Sequence, residues 1–235
     1  MKLSKHSILY TNIRSLSKNI IQLRSLAREL DPDFIMLTEI FNPLKKYVKI
    51  NNYHDNITKV RNTSTFGGGL AIYIKSCYPY AMDDKINNLN LIKLEALAVK
   101  TFLDNSHVTL VVVYRAPGPK ISDTFLDIEN ILSNIDSSRV IIAGDINLDI
   151  LRDDSVNDRY HDKIISHNLN QIVKCETRIT HNRASLLDHI LTNIPSARAI
   201  VSNYQLSDHQ VLFCLFDKEL KNLIATQKSQ FIKRF

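Results

Sequence analysis

Asp145 and Asn147 stand one residue apart in "VIIAGDINLDIL" (140–151), directly after four apolar residues and Gly144. A surface turn uses the same two residue types. Five other places repeat the pattern of a polar group at the end of an apolar run. Asn12 follows "SILYT", Glu39 follows "FIMLT" and Tyr114 follows "TLVVV". Asp188 lies in "SLLDHIL", and Asp208-His209 precede "QVLFCLF". Carboxylates and carboxamides are oxygen donors suited to a hard cation such as Mg²⁺. Cysteine and clustered histidine are absent from the set, which argues against zinc. An Asp–His pair is equally suited to moving a proton. Taken singly, each residue has an ordinary explanation, as a solvated carboxylate, a packing tyrosine or a hydrogen-bonded core histidine. Their joint occurrence outweighs these. His189 is read as structural, because it points to the opposite strand face from Asp188.

These groups must be carried by elements that end on one edge. The apolar runs predict strands over His6–Asn12, Phe34–Glu39, Leu70–Lys75, Leu94–Lys100, Val108–Tyr114, Val140–Ala143, Leu186–Asn193, Ile200–Tyr204 and Val211–Phe216. Ser17–Leu30 predicts a helix with Ile20, Leu23, Ala27 and Leu30 on one face, stopped by Asp31-Pro32. A second helix, capped by Ser122, carries Phe125, Ile128, Ile131, Leu132 and Ile135, and a third lies around Asp158–Asn168. Interspersed helices and many strands suggest two packed sheets with helices outside.

Composition sets the frame. A chain of 235 residues with 44% hydrophobic and 23% charged residues can bury a real core. The longest apolar stretches are strand-sized, so no membrane partner is expected. A net charge of +6 favours polyanionic partners. Three scattered cysteines, an odd number without ligand spacing, point to a reducing compartment, nuclear or cytoplasmic. Only five glycines occur, at 67–69, 118 and 144, as if backbone freedom were kept where geometry demands it.

The motifs "YTNIRSL", "LTEI", "GGGLAIYIK", "VVVYRAPG", "AGDINLDIL", "SLLDHILTN" and "SDHQVLF", in this order, resemble those of the endonuclease/exonuclease/phosphatase superfamily. Within it they most resemble the apurinic-type endonuclease domain of non-LTR retrotransposons. The resemblance implies a DNase I-like, four-layer α/β sandwich of two mostly antiparallel sheets flanked by helices. It implies Mg²⁺-dependent hydrolysis of a DNA phosphodiester, with Mn²⁺ as a substitute, to nick one strand of a duplex target for integration. Glu39 matches the principal metal position, with Asn12 and Asp208 beside it. Asp145, Asn147, Tyr114, Asp188 and His209 match the catalytic positions, and either Asp145 or His209 would serve as general base. The tyrosine motif departs from the family in reading Arg115-Ala116-Pro117-Gly118, and Ile40-Phe41 follow Glu39 where Thr-Trp is common. The alternative reading is an apurinic/apyrimidinic repair endonuclease or another phosphoesterase of the same superfamily.

Candidate DNA contacts are Arg14, Arg115 and, in "THNRAS" (180–185), Thr180, Asn182 and Ser185. That segment resembles a hairpin which retrotransposon nucleases direct at the minor groove. Residues 1–216 are expected to form the nuclease domain, acting as a monomer on double-stranded DNA. Residues 217–235, with five basic and two acidic groups, are expected to be a tail or linker. A reverse transcriptase could follow it.

Overall fold

The computed structural model describes residues 5–41, 48–61, 67–118, 121–181 and 183–217. In chain order the elements are β1 (Lys5–Asn12), α1 (Leu16–Leu30), β2 (Phe34–Thr38), β3 (Ile57–Lys59), β4 (Leu70–Ile74), β5 (Tyr80–Met82), α2 (Asp84–Asn87), β6 (Leu94–Leu103) and β7 (Ser106–Arg115). There follow α3 (Ile121–Ser133), β8 (Val140–Asp145), α4 (Ser155–Ser166), β9 (Asn170–Gln171), β10 (Arg178–Thr180), β11 (Arg183–Ser185), β12 (Asp188–Thr192), β13 (Arg198–Gln205) and β14 (Gln210–Asp217). One sheet runs β13-β14-β1-β2-β4-β3 and the other β5-β6-β7-β8-β12-β9, while β10 and β11 pair as a separate ribbon. Each six-stranded sheet has one parallel pair, β1 with β2 and β7 with β8; the other pairings are antiparallel. Each parallel pair is joined through a helix, α1 or α3, as a parallel connection requires.

Strand periodicity explains the layering. In β1, Ile8 and Tyr10 face Phe34, Met36 and Ile72 on their own sheet and Leu110, Val112, Ile141 and Ile190 on the other. Leu9, between them, points outward with Ile35, Leu37 and Tyr73 to meet Leu16, Leu23, Leu26 and Ala27 of α1. On the far side, Val111, Val113, Ile142 and Leu191 meet Phe125, Ile128, Ile131 and Leu132 of α3 with Tyr160 and Ile164 of α4. Central strands buried on both faces therefore read as continuous apolar runs. The result is the expected four-layer α/β sandwich.

Details differ from the sequence reading. Leu30 is 37% exposed and Leu26 takes its place on the buried face of α1. Helix α3 starts at Ile121, so Ser122 lies inside its first turn, with its hydroxyl on Asp123 rather than in a cap. Helix α4 starts at Ser155 because Asp154 accepts the N–H groups of Val156 and Asn157. The short strands β3, β5, β9, β10 and β11 have no long apolar run to announce them. The expected tail lies outside the described residues from 218 onward.

Candidate active site

Topology brings the polar strand ends together. The parallel pairs β1–β2 and β7–β8 deliver Asn12, Glu39, Tyr114 and Asp145 from strands that finish on the same edge. Strand β12 is antiparallel to β8 and β14 to β1, so their starting residues arrive at that edge. Asp188 is the register partner of Asp145, and Asp145 in turn of Tyr114. His209 immediately precedes β14. The first sheet thus supplies Asn12, Glu39 and His209, and the second supplies Tyr114, Asp145 and Asp188.

The centre is an imidazole between two carboxylates. His209 Nδ1 lies 2.7 Å from Asp188 Oδ2, and His209 Nε2 lies 3.8 Å from Asp145 Oδ2. Tyr10 donates its hydroxyl to the other Asp188 oxygen at 2.9 Å. Asp145 Oδ1 accepts the Asn147 N–H at 2.9 Å, and Oδ2 accepts the Asn12 amide at 2.9 Å. All three titratable groups are almost fully buried. Burial and the facing charge of Asp188 hold the Asp145 carboxyl well above the usual carboxylate range, against the pull of His209 and Asn12. For His209 burial works downward, but the charge and hydrogen bond of Asp188, with help from Asp145 and Asp208, outweigh it and raise the imidazole to about 9. The arrangement sets an imidazole of raised basicity beside a carboxyl of raised basicity.

Glu39 forms the second part. Its φ of 53° turns the chain out of β2, and Glu39 Oε1 accepts the Asn12 amide at 3.0 Å and the Tyr114 hydroxyl at 2.8 Å. The carbonyls of Glu39 and Ile40 accept the N–H groups of Ser15 and Leu16, which serves the start of α1 in place of a side-chain cap. Next to this turn the three glycines have φ of 118°, 77° and 85°. A Cβ at Gly68 would fall 2.4 Å from Glu95 Oε1, and Gly69 N–H donates to the other Glu95 oxygen. The glycine loop therefore needs both its backbone sign and its lack of a side chain.

Two carboxylates, Glu39 and Asp145, share one neutral amide, a hard-oxygen set with the charge to match a divalent cation. The site fits such an ion, which Glu39 could hold. Asn12 presents its NH₂ to both carboxylates, while its oxygen accepts the Arg14 N–H at 3.2 Å. Here it orients the carboxylates instead of offering a ligand oxygen. Asp145, Asp188 and His209 also place one ligand atom each within 4.8 Å of the others. In that trio the imidazole is already engaged by Asp188.

Other expected residues are placed as follows. Asp208, expected beside the metal, turns to Arg14 Nη1 at 2.9 Å and to Arg178, whose Nε is at 2.8 Å. Arg115, expected to touch DNA, is buried and spends its guanidinium on Thr124 and on the carbonyls of Asn147 and Gly118. It alternates with Tyr114 on β7, so it faces the helical layer and not the strand-end site. Asn147 answers by donating its amide to the Arg115 carbonyl at 2.7 Å. Arg14 is half exposed and reachable. Thr180 is exposed on the ribbon, Ser185 is buried at its base, and Asn182 lies outside the described residues. His189 bonds Tyr160 and the Leu148 carbonyl on the far face of β12, the structural role read from its parity.

Three contributors escaped the sequence reading. Tyr10 shares a face with Asn12 two residues on, and period two was the signal that could have found it. Ser207 donates to the Asn12 carbonyl at 2.6 Å and accepts the His209 N–H at 3.1 Å. Thr177 sits in an irregular segment that carries no periodic signal.

A model of the endonuclease/exonuclease/phosphatase family matches residues 9–209. Among solved structures, the endonuclease domain of TRAS1, a telomere-specific non-LTR retrotransposon, is 14% identical with a TM-score of 0.74, over 92% of this chain and 100% of that one. Humanized TDP2 of D. rerio is 16% identical with a TM-score of 0.64, over 91% and 99%. The 3′ phosphatase NExo from Neisseria, solved with a product DNA hairpin, is 14% identical with a TM-score of 0.63, over 90% and 99%. No curated protein matches the chain.

Proposed function

The chain belongs to the endonuclease/exonuclease/phosphatase family, and from that premise we propose that it is a divalent-metal-dependent endonuclease that nicks one strand of duplex DNA, of the kind a non-LTR retrotransposon uses to open its target. The observation that carries the reading is one edge where an imidazolium, a carboxylate of raised basicity and a separate hard carboxylate meet. Phosphodiester hydrolysis asks for these three groups. The likeness to the TRAS1 endonuclease domain supports the retrotransposon assignment. So does the β10–β11 ribbon beside the site, which exposes Ile179, Thr180 and Arg183.

In this mechanism a water attacks phosphorus and its proton passes to Asp145, while the bond to the leaving oxygen breaks and that oxygen takes up a proton from solvent. His209, already protonated, donates to a phosphoryl oxygen as charge builds there; Asp188, itself held by Tyr10, keeps its ring in place. Tyr114 and Asn147, which in the free protein bond Glu39 and the Arg115 carbonyl, would also steady the phosphate. A cation held by Glu39 would act as a Lewis acid on the same charge.

Supercoiled plasmid incubated with Mg²⁺ tests the reading. Conversion to open circles is expected, abolished by chelation and in Glu39→Gln, with the melting temperature of that variant unchanged. Cleavage confined to duplexes with an abasic site would replace this reading with a repair nuclease. Release of phosphate from small monoesters alone would replace it with a phosphatase.

A further inference from the structure

One buried residue, Thr177, joins the exposed ribbon to both members of the Asp188–His209 pair. Its hydroxyl oxygen accepts the N–H groups of Leu187 and Asp188 at 3.1 and 3.0 Å. Its carbonyl accepts the N–H of Gln210, the residue after His209, at 2.7 Å, and its own N–H donates to Ser185 at the end of β11 at 2.9 Å. Arg178 doubles the connection. It forms a β-bridge with His209, and its guanidinium holds Asp208. The ribbon is therefore rooted in the second sheet at Asp188 and in the first sheet at His209. Thr177 is the point where the two roots meet.

We infer that Thr177 is a positioning residue that sets the spacing of Asp188 and His209 and ties it to the seating of the β10–β11 ribbon. A purely local role would end its bonds on its own loop. Here they end on the backbone amide of Asp188 and next to His209, whose side chains are 2.7 Å apart. The two residues come from different sheets, and no strand pairing joins β12 to β14. Their spacing consequently rests on cross-sheet contacts, to which Thr177 contributes backbone ones at this edge alongside the Arg178–His209 bridge. Duplex DNA pressing on Ile179, Thr180 and Arg183 would load the same residue, so a well-seated substrate and a well-spaced pair become one event. This last step rests on the nuclease reading; the positional claim does not.

The test compares Thr177→Val with Thr177→Ser. The downfield proton resonance of His209 Nδ1 reports the bond to Asp188 whether or not the protein cuts DNA. In Thr177→Val that resonance should shift or vanish, and kcat for plasmid nicking should fall on the order of 10- to 100-fold, as expected when a reacting group is displaced by a fraction of an ångström to an ångström. KM should hold, and Thr177→Ser should restore both readouts. Should the valine variant not fold, Arg178→Gln, altered at a partly exposed side chain, should show the same resonance shift and kcat loss in weaker form. An unmoved resonance in the folded variant overturns the inference, as does a serine variant no better than valine. Wild-type protein that cuts no substrate, with the resonance still moving in Thr177→Val, would sink the nuclease reading and leave the positional one standing.

Discussion

At Asp145, two carboxylate oxygens face a backbone N–H, an amide and an imidazole. The charge of Asp188 raises the proton affinity of both Asp145 and His209, and the two groups face each other, so they act as a unit. Asp145→Ala and His209→Ala should each lower single-turnover nicking by about 10²- to 10⁴-fold. The double variant should be scarcely slower than the worse single one; multiplicative losses would assign the two groups to separate steps. Most of this set was readable because each member interrupts an apolar run. Tyr10 was hidden for the opposite reason: its ring belongs to the run and only its hydroxyl belongs to the site. Arg115 misled because adjacency to Tyr114 in sequence means opposite faces in a strand. Asp208 misled because a carboxylate beside the site's histidine looks like a ligand until the two arginines that claim it are folded into place.

Strand β12 shows how one element divides its labour by parity. Asp188 faces the site, while His189 faces α4, where its Nε2 donates to the Leu148 carbonyl at 3.0 Å and its Nδ1 accepts from the Tyr160 hydroxyl. Both partners suit the neutral ring, and burial lowers its pKa to about 4. Unfolded histidine titrates near 6.5, so between about 6.5 and 4 the unfolded chain takes up a proton that the folded one refuses. Stability should fall as pH drops through that window, by roughly 3 kcal/mol in all at about 1.4 kcal/mol per pH unit. Denaturant melts at stepped pH would measure it, and His189→Gln should flatten the slope. An equal slope in the variant would move the effect to other groups. Elements of this kind, long and buried on both faces, were visible in the sequence. The strands β3, β5 and β9 were not, since two or three residues leave no period to read; the ribbon was legible only through the resemblance of residues 180–185 to a hairpin.

The molecule as a whole carries a net charge of +6, and on the nuclease reading its grip on DNA is largely electrostatic. The logarithm of affinity should fall with the logarithm of salt with a slope of about 0.9 for each phosphate neutralised. Exchange of residues 180–185 should redistribute nick positions, read by sequencing, and spare the rate at a permissive site; an unchanged distribution would place selectivity elsewhere. The fold class was legible at this scale because seven motifs recur in order along the chain. The way in which the ribbon is rooted in two sheets was not, because it depends on contacts between segments with no shared pattern. One consequence follows for a chain still being made on the ribosome. Strand β14 lies between β13 and β1, and His209, just before it, is held by Asp188 and Ser207. Asn12, Glu39, Tyr114 and Asp145 are all synthesised long before the histidine that completes them. On the nuclease reading, a nascent chain that has not yet reached His209 lacks the imidazole of its site, and the arrival of β14 supplies it.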